Sequence, residues 1–339
     1  MKISSLIDAI VAQYRQPPEK RRPLFAQGQP GIGKSDAPRA AANRLGIEFR
    51  SWQATIEDPI TLSGLPARAM VMDDIEQRYA DHAVFLPFAD KLPVAGEGII
   101  CIDEINTAPP MVQAGLYDLF LHGQLGAYRL PAGWYVMATG NRDEDRAATQ
   151  RIPMPLIGRW TRVVVEPDLA DWTKWALNAG VKTEVIAFYQ FKPDLFTTFD
   201  PRKAEPYSCP RTAVFASDII ESAPPGLEHE LLCGTVGEGV ATEMVAFMRV
   251  FREMVSVDQI LLDPKGAPVP KEPAACCAIS AALAHRMTPN NIDRALVYAE
   301  RLQKEYEVLV VSLATKRDAA LLPTRAFIQW ASANTDVVL

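Results

Sequence analysis

The 339-residue chain sets 35 Lys and Arg against 41 Asp and Glu, for a formal net charge of −6. It is too long for one ordinary core and predicts about two domains. With 48% hydrophobic and 22% charged residues, it has the composition of a globular protein, and its acidic balance gives no footprint for non-specific duplex binding. The five cysteines (101, 209, 233, 276 and 277) form no CxxC pair and no Cys/His cluster of zinc spacing. They predict reduced, buried thiols in a cytoplasmic protein.

In chain order, Leu6, Ile7, Ile10, Val11 and Tyr14 recur at helical spacing before Pro17 and Pro18. They predict an amphipathic helix. The stretch holds Asp8 and is too short and polar for a signal peptide. No apolar run is long enough to predict a membrane span. Strand-like runs follow at 23–27, 47–54, 98–103, 134–140 and 161–167, alternating with helical patterns. That alternation predicts an α/β domain with a mostly parallel sheet, over residues 1–167. From 168 to 339 the pattern turns helical. Val240, Met244, Phe247, Met248, Phe251 and Val255 share one helical face, and 290–306 and 323–334 also read as helices. The aromatic, proline-rich stretch 188–210 reads as a long connection, and 261–273 as a proline-rich loop.

The most informative stretch is "GQPGIGKS", residues 28–35. It matches G-x-x-x-x-G-K-[ST] in full, after a strand and before a helix. Glycines let several backbone N–H groups point at phosphate oxygens. Lys34 supplies a cation for the β- and γ-phosphates, and Ser35 a hydroxyl for Mg²⁺. The cradle covers Gly28, Pro30, Gly31, Ile32, Gly33, Lys34, Ser35 and Asp36. Four specified positions should coincide by chance in roughly 1% of chains this long.

"GIICIDEIN" carries an apolar strand into Asp103 and Glu104. A buried parallel strand ending in carboxylates places them at the sheet's ligand-binding edge. Asp103 is read as the Mg²⁺ carboxylate and Glu104 as the general base for an attacking water. "VMATGN" is a third such strand, ending in Asn141, whose amide can orient that water or touch the γ-phosphate. His82, His122, His229 and His285 read as isolated, and Asp143, Glu144 and Asp145 as a solvated loop or a subunit contact.

The ordered set resembles an AAA+ ATPase, and within that class the MoxR branch. "GQPGIGKS" is similar to its Walker A motif, "IICIDEIN" to its Walker B with the D-E-x-N form, and "ATGN" to sensor 1. "PLIGRW" resembles the arginine-finger segment and "CPRTA" the sensor 2 segment. Trp160 stands where the family has phenylalanine, and Gly158 where it has Asp or Asn. The resemblance implies an ATP- and Mg²⁺-dependent core followed by a helical lid, assembled as a homo-oligomeric ring, hexameric in the family pattern. It implies Arg159 as a finger reaching the neighbouring subunit's nucleotide, with Arg146, Arg151 and Arg162 as competitors, and Arg211 as sensor 2. It further implies a von Willebrand A (VWA) domain adaptor and a client protein that the motor remodels. Segments 57–68 and 122–134 resemble two substrate-facing insertions. A nucleic-acid-translocating motor would need basic insertions, and these hold Arg68 and Arg129 alone as Lys or Arg. A nucleotide-gated scaffold with little turnover is the non-enzymatic alternative, against which Glu104 stands.

Overall fold

Short apolar runs closed by turn residues make strands that can be covered on both faces. In the computed structural model the strands Leu24–Gln27, Gly98–Asp103 and Trp134–Gly140 are so covered, while the edge strands Glu48–Gln53 and Thr161–Val164 stay largely exposed. The structure describes residues 1–57, 62, 64–73, 78–86, 91–126, 128–145, 150, 152–252 and 256–334, with the backbone alone at 71–73 and 78–85. Two compact units divide the chain: Met1–Glu166 with Asp200–Lys203, and Pro167–Phe199 with Ala204–Leu339.

The first unit contains, in chain order, β1 (Leu24–Gln27), β2 (Glu48–Gln53), β3 (Leu65–Asp73), β4 (Arg78–Leu86), β5 (Gly98–Asp103), β6 (Gln124–Leu125), β7 (Tyr128–Arg129), β8 (Trp134–Gly140) and β9 (Thr161–Val164). Strands β2, β5, β8, β1 and β9, in that spatial order, form one parallel sheet. All five strand-like runs of the sequence are in it. Its helices are α1 (Ile3–Tyr14), α2 (Asp36–Leu45), α3 (Pro110–Gly115), α4 (Tyr117–His122) and α5 (Met154–Ile157).

Side chains alternate across the sheet with the strand period of two. Leu24, Ala26, Ile99, Cys101, Tyr135 and Met137 pack with Leu6 and Ile10 of α1 and Ala41 of α2. Phe25, Ile100, Ile102, Val136 and Ala138 pack on the other face with Leu116, Leu119 and Phe120. Each fully buried Leu, Ile or Phe contributes about 1.5–3 kcal/mol, so both faces hold the sheet rigid beneath its loops. Burial also pushes the Cys101 thiol well up from its ordinary range.

The long antiparallel pair β3–β4 was not legible as a hairpin. Its connection, 74–77, reads "DIEQ" and lacks the Gly, Asn or Pro that marks a tight turn. The segment 122–134, read from the sequence as an insertion, holds the short antiparallel pair β6–β7, with Leu125 opposite Tyr128.

The second unit is helical: α6 (Leu169–Ala179), α7 (Thr183–Phe191), α8 (Pro210–Ser222), α9 (Glu228–Val236), α10 (Glu238–Arg252), α11 (Val257–Leu262), α12 (Pro273–Arg286), α13 (Ile292–Ala299), α14 (Lys304–Arg317) and α15 (Arg325–Ala333). On α10 the expected face is inward at Val240, Met244, Phe247 and Met248, while Val255 lies outside the described residues. The connection expected at 188–210 is shorter than predicted. Phe188–Phe191 form the last turn of α7, where Phe188 and Tyr189 are fully buried and burial outweighs the weak helix propensity of aromatic residues. The single helix expected at 290–306 is two, broken where Leu302 turns into the core. The cysteines are free thiols, with Cys233 only partly buried. His229 is not isolated, since its ring lies 3.7 Å from Cys233 Sγ and 3.3 Å from Thr242 Oγ1. Among the described residues no helix is long and apolar enough to cross a membrane.

Candidate nucleotide site

Register brings the motifs together. Gln27 pairs with Gly140 across β1–β8, and Ile102 with Ala138 across β5–β8. The loop after β1, the acids ending β5 and Asn141 after β8 therefore leave the same edge of the sheet, where ligands bind in open α/β folds.

The loop's glycines have separate reasons. A Cβ on Gly28 would lie 2.4 Å from the Val165 carbonyl oxygen, so only glycine permits that approach. Gly31 and Gly33 take φ of 79° and 94°, values that glycine adopts without steric cost. Among the described residues no carbonyl accepts the N–H groups of Gly31, Ile32, Gly33 or Ser35. These donors sit at the N-terminus of α2, where the helix dipole favours an anion. Pro38 is tolerated as the third residue of α2, where an intrahelical partner for its missing N–H would be absent anyway.

Lys34 is buried, and its Nζ donates to the carbonyls of Gly28 and Gln29 at 2.7 Å each and to Asn141 Oδ1 at 3.3 Å. Asn141 is itself held. Its N–H donates to Asn106 Oδ1 at 3.1 Å, and its carbonyl accepts from Asn106 Nδ2 at 2.6 Å and Gln27 Nε2 at 2.9 Å. Asn106, fully buried, was not singled out from the sequence as a site residue. The signal was present in the fourth position of D-E-x-N. Gly140 makes room for it, since a Cβ there would lie 2.3 Å from Asn106 Oδ1.

Ser35 Oγ donates to Asp103 Oδ1 at 2.9 Å. The same oxygen accepts from Thr139 Oγ1 and from the Glu104 N–H, the latter at 3.2 Å. Hydroxyl and carboxylate oxygens are the ligands Mg²⁺ prefers. Among the described residues no group of three or more His, Cys, Asp or Glu could hold a metal alone. A site of one serine and one aspartate suits an ion that shares its shell with phosphate oxygens and water. The unsatisfied N–H groups and the glycine cradle fit a polyphosphate in the same way.

Glu104 is the one non-glycine residue with positive φ, 54°, among the described residues. The left-handed region costs an L-residue roughly 1–2 kcal/mol. Such strain is retained where the surroundings impose it, often at functional sites.

Arg159 follows α5. Its guanidinium lies 5.2 Å over the Tyr117 ring and donates to the Pro155 carbonyl at 2.5 Å, while its buried Nε has no partner among the described residues. Trp160 stacks on Phe25 at 4.6 Å and meets Phe120 edge-on at 5.3 Å. That anchor fixes where Arg159 leaves the core. Of its competitors, Arg162 is exposed on β9, and Arg146 and Arg151 lie outside the described residues. Arg211 is exposed in the first turn of α8 in the second unit. In the expected insertion at 57–68, residues 58–61 and 63 lie outside the described residues.

One acidic reading is corrected. Asp143 and Glu144 are exposed, but Asp145 is buried, with its carboxylate 3.0 Å from Arg142 Nη2. A buried carboxylate needs such a partner. The hydrogen bond to Asp145 in turn raises the Arg142 pKa.

No protein-family model matches the chain, and no curated protein matches it. Solved structures with a similar fold include NtrX from Brucella abortus, 15% identical, covering 91% of this chain and 67% of that one at a TM-score of 0.40. NtrX in complex with ATP is 14% identical over 93% and 68%, also at 0.40. The Thermotoga maritima RuvB Holliday junction branch migration motor is 12% identical over 83% and 80%, at 0.39. Likeness at these values is loose and carries no argument about activity.

Proposed function

We propose that the chain binds ATP with Mg²⁺ and hydrolyses it as the subunit of an AAA+ motor. The observation that carries this reading is one sheet edge. There, buried Lys34 meets Asn141, Ser35 meets Asp103, and among the described residues no carbonyl accepts the N–H groups of Gly31, Ile32, Gly33 or Ser35. Bound ATP would supply the phosphoanhydride bond to be cleaved, and Mg²⁺ would neutralise its charge. The backbone from Gly28 to Ser35 would hold the phosphates, Lys34 would face the β- and γ-phosphates, and Ser35 and Asp103 would hold Mg²⁺. Glu104 would take the proton of an attacking water, with Asn141 orienting it.

In this reading the chain is a MoxR-type motor. Arg159 completes a neighbouring copy's site in a ring, hexameric by the family pattern, and Arg211 responds to nucleotide. A VWA-domain adaptor presents a client protein in the cytoplasm. The motifs that support the MoxR assignment are D-E-x-N at 103–106 and the two insertions.

Calorimetric titration with MgATP tests the site. Wild type should bind, and Lys34→Ala should bind at least about tenfold more weakly, since a charge-assisted contact contributes about 1.5–3 kcal/mol. Equal affinity of the two would refute the assigned site.

A further inference from the structure

The carbonyl of strained Glu104 accepts two hydrogen bonds, both from Thr107: from its N–H at 3.0 Å and from its Oγ1 at 2.8 Å. A hydroxyl has one proton to give. With that proton committed to Glu104, Thr107 Oγ1 is an acceptor for Thr55 Oγ1, which lies 2.8 Å away. Thr55 sits in the 3₁₀ turn Ala54–Ile56 that ends β2.

Two residues on, Glu57 is buried, and both its carboxylate oxygens lie 2.6 Å from Lys91 Nζ. The chain between Glu57 and Lys91 carries β3 and β4. Leu62 and Leu92, at the two ends of that excursion, are buried in the same cluster as Ala54 and Ile105. The turn bearing Thr55, the turn bearing Thr107 and the base of the long hairpin therefore share one packed body.

We propose that Thr55 and Thr107 are positioning residues, a hydroxyl latch that holds the Glu104 backbone and couples it to the Glu57–Lys91 base of the β3–β4 hairpin. The proposal rests on Glu104 acting at a nucleotide site. A carboxylate held in an unfavourable backbone conformation needs an external restraint to stay aimed, and small misplacements cost rate steeply. Because Thr55 anchors the Thr107 hydroxyl that holds Glu104, a change at Glu104 reaches the hairpin base, and a load on the hairpin reaches Glu104.

The test compares Thr55→Val, Thr55→Ser, Thr107→Val and the double valine variant with wild type. Three quantities are read: ATP affinity, kcat, and hydrogen exchange of amides 65, 67–73 and 78–86 with and without ATP. Thr55→Val should keep ATP affinity within about twofold, lose kcat about tenfold, and abolish the ATP-dependent change in hairpin exchange. Thr55→Ser, which keeps the hydroxyl, should restore both. The double variant should lose no more than either single. Wild-type kcat in Thr55→Val, an equal loss in Thr55→Ser, or additive losses would overturn the latch while leaving the nucleotide reading intact. Wild type that binds no ATP would defeat that reading, and the latch with it.

Discussion

Ser35 Oγ donates to Asp103 Oδ1 at 2.9 Å across 68 positions of sequence. The end of the glycine-rich loop and the end of β5 thus meet at a single oxygen pair. Parallel register sets this meeting, since β8 lies between β1 and β5 and aligns their C-terminal ends.

Gly28 should not accept a side chain. Its Cβ position is 2.4 Å from a backbone oxygen, which cannot rotate away. Gly28→Ala should lower stability by about 1–3 kcal/mol, the usual range for overpacking, and weaken ATP binding by displacing the loop. Chemical denaturation and an ATP titration check both effects, and unchanged values in both would contradict the packing argument.

Glu104 separates chemistry from strain. Glu104→Gln keeps the left-handed backbone and removes the base, so ATP should bind while turnover falls at least about 100-fold. Glu104→Gly should lose turnover equally but gain about 1 kcal/mol of stability, because glycine relieves the positive φ. Turnover assays and denaturation curves on the two variants test the contrast. Wild-type turnover in Glu104→Gln would remove Glu104 from the role of base.

Arg159→Ala should bind ATP and assemble, yet hydrolyse on the order of 10³-fold more slowly if the guanidinium acts as a finger. Mixing in Lys34→Ala subunits, which keep Arg159, should restore part of the rate, because the two defects then lie in different copies. Turnover of the mixture is the readout, and no recovery points to another arginine.

His285, at the end of α12, has its pKa lowered, first by partial burial and then by Arg317 and Arg286, with Glu184 opposing. Arg286 is itself paired with Asp258 at 2.5 Å. The folded chain resists a proton that the unfolded chain accepts below about 6.5. Stability should therefore decline as pH falls from about 6.5 through the lower folded pKa. His285→Gln should flatten that part of the profile. Urea denaturation across pH 5 to 7.5 checks it, and an identical slope in the variant would count against this cause.

The sheet was readable because its strands are short and closed by turn residues, and its central strands β1, β5 and β8 are buried on both faces. The P-loop and the β5 acids were readable because their chemistry demands particular residues at close spacing. Asn106 and Thr107 were harder to assign, since each acts by holding another residue's backbone. Nothing in an asparagine or a threonine says which carbonyl it will hold. The sequence does not single out Asp145, because Arg142 is followed by three acids in a row. Only packing decides which of the three turns inward. The β3–β4 hairpin escaped notice for want of a turn signal at 74–77.

The central claim is that ATP is hydrolysed at a site completed by a second copy of the chain. Its most direct test is ATP turnover per subunit with Mg²⁺ over a range of protein concentrations, with the assembled mass measured at each. On that claim, a rate per subunit that climbs and saturates in step with assembly is expected. A rate that stays flat while the mass rises, or no hydrolysis by the assembled protein, would contradict it.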